Sequence, residues 1–467
     1  MKDEKQTAEE SKPRISKKTV AQLMAERAYV LGKKFVSDFD VISIDSGYFK
    51  YKDGLWSEIQ PREMLSWVNS EYVKHYEPTT KNQINEVIRN MEAETYVIYN
   101  EHLSRTKIRN LLNLKSKVLD LNNFTLKNYE REDFAFYQLP FDYSEKNDIQ
   151  QAPNFLRFIT SSLDFKKYDP ENPASFKNLT DEEIKTMMFI QEWLGYSLVQ
   201  GNRLHKNLIM IGEGRNGKGV FQEVWAAMLG EQNISKNDLS AINNTQTIGM
   251  TKNKLVNFSY DLEAGQQLDT GVVKSATSGE TVMANEKYKD PYFFTFTAKL
   301  VIACNDLPYI KNSGFAIRER FYVLPFTRCF TEEERDPDLK EKIIKNEMEV
   351  IFNWAVTGLK RLLTRGHFDA PERCIISMQN YIMDNDTVQF WIEQEEMKAD
   401  GDKNFVKGNV LYKYYREFCI DANYKPLSMG VFYKQLVSKG YQKTASDGYR
   451  GFKGLRKPTN APNDAIL

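Results

Sequence analysis

Residues Leu208 to Phe221, with the sequence LIMIGEGRNGKGVF, constrain the fold of this chain more than any other segment. Four apolar residues typical of a buried strand lead into a glycine-rich turn. The pattern after Lys218 predicts a helix from Val220 to Leu229. A strand, a tight turn and a helix in this order predict one unit of a three-layered α/β domain with a parallel sheet.

The turn has the spacing GxxxxGK, which predicts a phosphate-binding loop with Lys218 directed at the β and γ phosphates of ATP. Glycines let backbone N–H groups curve around phosphate oxygens without a Cβ clash, and the helix N-terminus adds partial positive charge. A plain glycine-rich turn is the alternative, and the flanking strand and helix argue against it. The residues expected to bind ATP are Gly212, Glu213, Gly214, Arg215, Asn216, Gly217, Lys218, Gly219 and Val220.

Position 219 departs from the usual loop, in which a Ser or Thr after the lysine coordinates Mg²⁺ through its hydroxyl. Neither Gly219 nor Val220 has a hydroxyl. Because Mg²⁺ retains several waters readily, a water can take the missing position. We therefore expect ATP and Mg²⁺ to bind, while the sequence leaves open whether Gly219 impairs hydrolysis.

Two acidic residues, Asp261 and Glu263, end the apolar strand in LVNFSYDLEAG. An ATPase needs a carboxylate in the Mg²⁺ shell and a group that activates the attacking water. We expect Asp261 to bind the metal and Glu263 to activate the water, although the sequence allows the two roles to be exchanged. A solvated strand end is the alternative.

The segment YFFTFTAKLVIACN is predicted as a hydrophobic strand ending at Asn305, whose amide can sense the γ-phosphate. An ordinary turn residue before Pro308 is the alternative. Downstream, AIRERFYVLPF contains Arg318 and Arg320, either of which can enter a neighbouring copy's ATP site as an arginine finger. A solvated surface pair is the alternative. The order of these features, between positions 208 and 320, favours the functional interpretation.

The composition narrows the functional class. Lys+Arg and Asp+Glu each number 64 in 467 residues, so the chain has no net charge and must bind any nucleic acid through local patches. The four cysteines form no CxxC pair, which argues against a zinc site or a disulfide framework. No signal peptide and no apolar run long enough to span a bilayer are recognised, so we expect a cytoplasmic protein.

The distribution of apolar, charged and turn-forming residues along the sequence predicts how the chain is divided into segments. We expect a helix from Thr19 to Val36, a hairpin from Tyr48 to Ile59 that turns at Asp53-Gly54, and a short β element from Lys117 to Tyr129. The predicted segments are a disordered tail (1–18), an N-terminal α+β domain (19–200), an ATPase core (201–330), a helical connector (331–402) and a last module (403–467).

The last module has a local excess of positive charge, with twelve Lys/Arg and three acidic residues between 403 and 457. PLSMGVFYKQLVSKGY predicts a turn and a recognition-type helix, and YRGFKG predicts a β-wing, which together favour a winged helix that binds duplex DNA. A winged helix that contacts only proteins is the alternative. The candidate DNA contacts are Lys434, Lys439, Arg450 and Lys453.

A second candidate DNA contact is the segment MANEKYKDPYFF, which predicts a hairpin with Lys287, Tyr288 and Lys289 at its tip. Lysines neutralise phosphates, and a tyrosine packs on sugar or base. An ordinary surface hairpin fits the local sequence nearly as well.

Together these motifs resemble superfamily 3 helicases, in particular the poxvirus-type replicative helicases of phages, plasmids and other mobile elements. The resemblance rests on NGKG after an apolar strand, on KSATSGETVMANEKYKDPYFFTFTAKLVIACNDLP and on the arginines before VLPF, and it extends over about residues 44 to 457. It implies an AAA+-like core, a homo-oligomeric ring, usually a hexamer, ATP hydrolysis between subunits, and 3′ to 5′ translocation on single-stranded DNA. It also implies a separately encoded primase or polymerase partner, since only about 45 residues precede the resembling region and we expect no primase domain.

Carried onto this chain, the resemblance makes Lys218 the loop lysine, Asp261 and Glu263 the acidic pair, and Asn305 the sensor. It places the hairpin tip in the DNA channel. Arg320 stands where the family has its second arginine, but Glu319 replaces the first. Either Arg318 or Arg320 can therefore be the arginine finger. We expect a replicative helicase, and the alternative is a nucleotide-dependent DNA-binding ring that recruits partners without unwinding.

Overall fold

The chain was analysed as a computed structural model, which describes residues 18–44, 47–76, 80–103, 110–262, 270–287, 291–305, 307, 319–385, 387–395, 405–422, 424, 426–446 and 448–453. It consists of two compact units. The first contains residues 1–110 and 128–136, and the second contains residues 111–127 and 137–467. In the described part of the chain, no helix is both long enough and apolar enough to cross a membrane.

The first unit combines three helices with a small antiparallel sheet in the order β1-β2-β3. The predicted first helix is confirmed, and Thr19 caps it in a reciprocal pair of hydrogen bonds with Gln22. The predicted hairpin is also confirmed, with Asp53 and Gly54 at φ values of 52° and 91° in its two-residue turn. The elements are α1 (Val20–Ser37), β1 (Val41–Ile44), β2 (Gly47–Lys52), β3 (Leu55–Ile59), α2 (Pro61–His75) and α3 (Lys81–Leu103).

The second unit is mixed α/β. Its elements before the glycine-rich loop are β4 (Leu111–Asn113), β5 (Val118–Asp120), β6 (Thr125–Lys127), α4 (Pro153–Ser162), α5 (Asp181–Ser197) and β7 (Asn207–Ile211). After the loop follow α6 (Lys218–Leu229), β8 (Ile234–Ser235), α7 (Leu239–Ile242), β9 (Val256–Leu262), α8 (Thr270–Ser278), β10 (Thr281–Ala284), β11 (Tyr292–Thr295), β12 (Lys299–Cys304) and β13 (Phe321–Pro325). The predicted β element at 117–129 is confirmed as β5 and β6.

A parallel sheet of five strands, in the order β13-β7-β12-β9-β8, forms the centre of this unit. The prediction of a parallel α/β core is therefore confirmed. The prediction of one strand across YFFTFTAKLVIACN was wrong, because β11 pairs with β10 in a separate hairpin while β12 joins the parallel sheet. The burial explains the division: every residue of β12 is buried, whereas exposed and covered residues alternate in β11.

The rest of the chain is helical and then mixed. Its elements are α9 (Leu339–Asn346), α10 (Met348–Arg365), α11 (Glu372–Asn385), α12 (Thr387–Gln394), β14 (Phe405–Lys407), α13 (Gly408–Asp421), α14 (Met429–Ser438), β15 (Gln442–Ser446) and β16 (Tyr449–Lys453). The last three strands form an antiparallel sheet in the order β14-β16-β15. Trp391, Tyr415 and Phe432 form its aromatic core with α12, α13 and α14, and the rings of Tyr415 and Phe432 stack at 4.5 Å.

Helices α5 and α10 approach each other closely because each has a glycine that lies against the backbone of the other helix. A Cβ atom on Gly195 would lie 2.3 Å from the carbonyl oxygen of Ala355, and one on Gly358 would lie 2.5 Å from that of Gln191. Only glycine fits at either position without moving a backbone.

A buried ion cluster joins the same two helices. The Glu192 side chain is 2% exposed, and it accepts hydrogen bonds from Arg361, at 2.7 Å, and from Arg365. Such a carboxylate depends on both partners, because an unpaired charge in the interior is costly.

Helix α5 begins with a capping box whose carboxylate, on Glu183, is buried. Glu183 accepts hydrogen bonds from the backbone N–H and hydroxyl of Thr180 and from the backbone N–H groups of Lys166 and Lys167. Burial alone would raise the pKa of the Glu183 carboxyl, but these hydrogen bonds outweigh it and lower the pKa.

Candidate nucleotide-binding site

The glycine-rich loop leaves the carboxyl end of β7, which lies between β13 and β12. Parallel strands bring their carboxyl ends to one edge of a sheet, where ligands of α/β proteins bind. Both neighbours hold the start of the loop: the Gly212 N–H donates to Cys304 O at 3.3 Å, and the Phe326 N–H donates to Ile211 O at 2.7 Å. The position of the loop is therefore fixed by the sheet.

Two glycines of the loop are required by its geometry. A Cβ atom on Gly212 would lie 2.2 Å from both the Phe326 carbonyl oxygen and the Asn216 side-chain nitrogen. Gly217, which precedes α6, has a φ of 89°, a value that other residues rarely adopt. The predicted use of glycine thus has a physical cause at both positions, and the tight backbone leaves a concave turn of the kind that holds phosphate.

Lys218 is 4% exposed and folds back over the loop. Its Nζ donates to Gly212 O at 2.5 Å, to Asn216 Oδ1 at 3.2 Å and to Asn305 Oδ1 at 3.3 Å. The structure therefore brings together two predicted residues, Lys218 at the start of α6 and Asn305 directly after β12. A phosphate fits this arrangement, because charged oxygens can replace neutral carbonyl acceptors and bind an ammonium more strongly.

Asn216 ties the loop to the end of β13. Its side chain is 2% exposed, and its Nδ2 donates to Phe326 O at 3.3 Å while its Oδ1 faces the Lys218 ammonium. We predicted Asn216 only as one member of the ATP-binding loop. The geometry instead makes it a positioning residue for Lys218.

The segment after β13 also holds the loop, and sequence reasoning missed it. The Phe330 N–H donates to Arg215 O at 2.9 Å, and the Cys329 thiol donates to Gly214 O at 3.5 Å. These contacts join residues more than a hundred positions apart. No local pattern in the sequence could have indicated them.

Gly219 lies exposed in the first turn of α6. A Cβ atom added there would meet no heavy atom within 4 Å, so nothing in the packing excludes a serine. The absence of the usual hydroxyl is therefore not required by the fold.

Strand β9, which carries Asp261, lies on the far side of β12 from β7. Asp261 is the sixth residue of β9, and Leu262 pairs with Cys304, so Asp261 and Asn305 stand at the same edge of the sheet. Glu263 lies outside the described residues. In that described part, no three His, Cys, Asp and Glu side chains converge on a metal-binding position.

Arg320 lies just before β13, at the edge of the sheet opposite the loop, and its carbonyl oxygen accepts a hydrogen bond from the Asn207 N–H at 2.7 Å. Five strand residues, or about 17 Å, separate it from the level of the loop. Arg320 and Lys218 of one chain are therefore not brought together. Arg318 lies outside the described residues.

In chain order the hairpin β10–β11 has the predicted place, after β9, which carries Asp261, and before β12, which Asn305 follows. Lys287 lies exposed in its connection, and Tyr288 and Lys289 lie outside the described residues. Strand β11 continues through residues 296–298 into β12, whose other end leads to Asn305.

The predicted basic residues of the last module lie on α14 and β16 or directly beside them. Lys434 is exposed on α14, Lys439 follows that helix directly, and Arg450 and Lys453 are exposed on β16. Strands β15 and β16 form a hairpin with Tyr449 paired to Ser446. The structure thus confirms the predicted helix and hairpin, while their role in binding DNA stays a prediction.

One buried cation has no counterpart in the predictions. Lys299, the first residue of β12, is fully buried, and its Nζ donates to Val199 O at 2.5 Å and lies 4.6 Å from the centre of the Tyr196 ring. Burial lowers the pKa of Lys299 to about 7, and the positive charge of Arg203 acts in the same direction.

Residues 210–320 match a family described as of unknown function, DUF5906. Three curated relatives bear the name "Putative helicase": L207/L206 of Acanthamoeba polyphaga mimivirus, 121R of Invertebrate iridescent virus 3 and 184R of Invertebrate iridescent virus 6. They are 24%, 20% and 24% identical over 365, 361 and 253 residues. The alignments cover 67%, 69% and 50% of this chain but only 36%, 36% and 24% of the relatives, so the chain spans about a third of their length or less.

Solved structures of the NrS-1 C-terminal region also align with this chain. One apo structure covers 92% of this chain and 100% of its own at 12% identity, with a TM-score of 0.46. The A form apo structure covers 90% and 97% at 12% identity, with a TM-score of 0.45.

Proposed function

We propose that this protein is an ATP-dependent replicative DNA helicase of superfamily 3 with an AAA+-like core. The observation that carries the proposal is the contact of Lys218 with Asn305, 3.3 Å apart at the carboxyl edge of a parallel sheet. Strand β12, which Asn305 directly follows, is separated by three residues from a hairpin that exposes Lys287. The helicase names of the viral relatives support the same class.

In this proposal the loop N–H groups and Lys218 bind the β and γ phosphates of ATP, and Asn216 keeps the lysine in place. Asn305 senses the γ-phosphate. Asp261 contributes to the metal shell and Glu263 activates the attacking water. Mg²⁺, when bound, neutralises the developing phosphate charge, and its shell is rich in water because position 219 offers no hydroxyl.

We further propose that subunits assemble into a ring, a hexamer by resemblance, and that Arg320 or Arg318 completes the ATP site of the neighbouring subunit. The location of Arg320 at the opposite edge of its own sheet supports a contribution in trans. Mixing two inactive proteins tests this: Lys218→Ala retains the finger, and Arg320→Ala retains the loop. Mixed rings should regain ATPase activity, and no gain on mixing would contradict the trans assignment of Arg320.

For DNA, we propose that Lys287, Tyr288 and Lys289 contact the single strand in the ring's channel. Lys434, Lys439, Arg450 and Lys453 of a winged-helix module would contact duplex DNA, including an origin. The viral source of the relatives supports a role in a mobile element, with a separately encoded primase or polymerase as partner.

A strand-displacement assay tests the helicase proposal. Wild-type protein with ATP and Mg²⁺ should release a strand from a duplex with a 3′ tail and not from one with a 5′ tail. Lys218→Ala should bind DNA without displacing the strand, whereas Lys345→Ala, which changes an exposed lysine on α9, should behave as wild type. Displacement that persists in Lys218→Ala would refute the mechanism.

A second candidate function is a nucleotide-dependent DNA-binding ring that recruits replication partners without unwinding. Gly219 favours it, because the loop lacks the metal-binding hydroxyl. Nucleotide-dependent DNA binding without strand displacement from either tail would select this alternative.

A further inference from the structure

We infer that the outer face of the hairpin β10–β11 is a stacking platform for the bases of single-stranded DNA, with Phe293 as its central contact. The inference rests on the proposed function and adds a binding site to it.

The hairpin has one covered face and one open face. Ala284 and Phe294 are buried in a hydrophobic cluster, and Val282 and Tyr292 pack against that cluster. The alternate residues of both strands point away from it, and they are Thr281, Met283, Phe293 and Thr295. The open face therefore carries no charged residue.

Phe293 and Met283 lie directly opposite each other on the two strands, so that their side chains form one apolar patch. The two residues pair across the strands, and they are 61% and 42% exposed. Side chains directly opposite in an antiparallel pair have their Cβ atoms about 5 Å apart. An exposed aromatic ring beside a methionine is thus held on a rigid two-stranded support, with a threonine pair next to it.

The size of the patch argues against a contact with another folded protein. The exposed parts of a phenylalanine and a methionine amount to on the order of 200 Å², since an aromatic side chain has roughly 150–250 Å² in total. A stable protein interface needs about 800 Å² on each partner. A nucleobase is flat, apolar on its faces and of the size of one aromatic ring, so it fits the patch.

The charge near the patch favours a nucleic acid over a neutral aromatic ligand. Lys287 is exposed in the connection of the same hairpin, four residues after Met283, or at most about 14 Å of extended chain. The neighbouring carboxylate of Glu286 is held at 2.5 Å by the Tyr292 hydroxyl, whose ring belongs to the covered face. One single strand can therefore place a phosphate at Lys287 and a base on Phe293.

The test compares two oligonucleotides of equal length, one of thymidines and one of abasic sites, so that only the bases differ. Phe293→Ala should bind the thymidine strand roughly tenfold more weakly than wild type, because base stacking on an aromatic residue has about this effect. Its affinity for the abasic strand and its salt dependence should not change. Phe293→Trp should retain the affinity for thymidine.

Two controls separate stacking from charge and from general surface changes. Lys287→Ala should weaken binding to both strands. It should also reduce the slope of log affinity against log salt concentration by about the amount that one phosphate contact contributes. Ile420→Ala, which removes another side chain that is 60% exposed, should change neither affinity. All variants should have wild-type melting temperatures, since no core contact is altered.

The outcomes distinguish this inference from the proposed function. If wild type binds the thymidine strand with a slope that depends on Lys287, but Phe293→Ala binds it equally well, the platform is refuted and the helicase proposal stands. Equal losses on both strands, or a change of oligomeric state in sedimentation without a base-dependent loss, would also refute it. If wild type binds neither strand, both proposals fail.

Discussion

Replacement of Lys299 by methionine should remove a rise in stability with pH that wild type shows between neutral and alkaline conditions. The lysine is fully buried at the start of β12, and burial lowers its pKa from 10.5 to about 7. Below pH 7 the amine is charged in both the folded and the unfolded chain, so stability does not change with pH through this group. Between 7 and 10.5 the folded chain has released a proton that the unfolded chain keeps, so the free energy of unfolding rises.

The size of the effect follows from the shift. A difference of 3.5 between the two pKa values corresponds to at most about 5 kcal/mol over the whole range, because one pKa unit is worth about 1.4 kcal/mol. Between pH 7 and pH 9 we expect wild type to gain roughly 2 kcal/mol relative to Lys299→Met. The methionine keeps the volume of the side chain but leaves the Val199 carbonyl oxygen without this donor, which offsets the curves by a constant amount.

The measurement is urea unfolding at pH 7, 8 and 9, followed by the fluorescence of the buried Trp193 and Trp225. Lys345→Met, which changes an exposed lysine, serves as the control and should follow the wild-type pH profile. Parallel profiles for wild type and Lys299→Met would refute the reasoning, because they would mean that the buried amine does not release its proton in this range.

Four further predictions concern the buried carboxylates and the loop. Glu192→Ala should lower the free energy of unfolding by about 3–5 kcal/mol, because two arginines lose their buried partner, and a loss under 1 kcal/mol in urea unfolding would contradict the burial of the cluster. Glu183→Gln should cost roughly 2 kcal/mol at pH 7, since its lowered pKa stabilises the fold above the unfolded value, and the difference should vanish as pH falls through the folded pKa. A pH-independent difference would exclude the charge as its cause. Gly212→Ala should abolish nucleotide binding in isothermal titration, because its Cβ atom would lie 2.2 Å from the Phe326 carbonyl oxygen. Gly219→Ser should bind nucleotide and, in a Mg²⁺ titration of phosphate release, require less Mg²⁺ for ATPase activity than Gly219→Ala. Normal binding by Gly212→Ala, or equal Mg²⁺ requirements at position 219, would count against the assigned loop geometry.

Local patterns predicted the elements whose shape depends on neighbouring residues. The turn at Asp53-Gly54 and the strand, loop and helix around Lys218 follow from the conformational freedom of glycine and from apolar periodicity. These are the cases in which the sequence alone is sufficient.

Contacts between distant segments could not be predicted in the same way. The hydrogen bonds of Cys329 and Phe330 to the glycine-rich loop depend on the order of the strands in the sheet, and no local sequence pattern contains that order. The burial of Lys299 depends on Val199 and Tyr196, a hundred residues earlier. The division of β11 from β12 was missed because a strand with alternating burial and a fully buried strand adjoin with only three residues between them.

The close contact of α5 and α10 through Gly195 and Gly358 sets a practical limit on how this protein can be shortened. A fragment that stops after β13 would expose to solvent the side of α5 that packs against α10. It would also leave Glu192 without Arg361 and Arg365. Expression of the parallel sheet by itself should therefore yield aggregated material, whereas a fragment extended through Arg365 contains the helix that covers that side of α5.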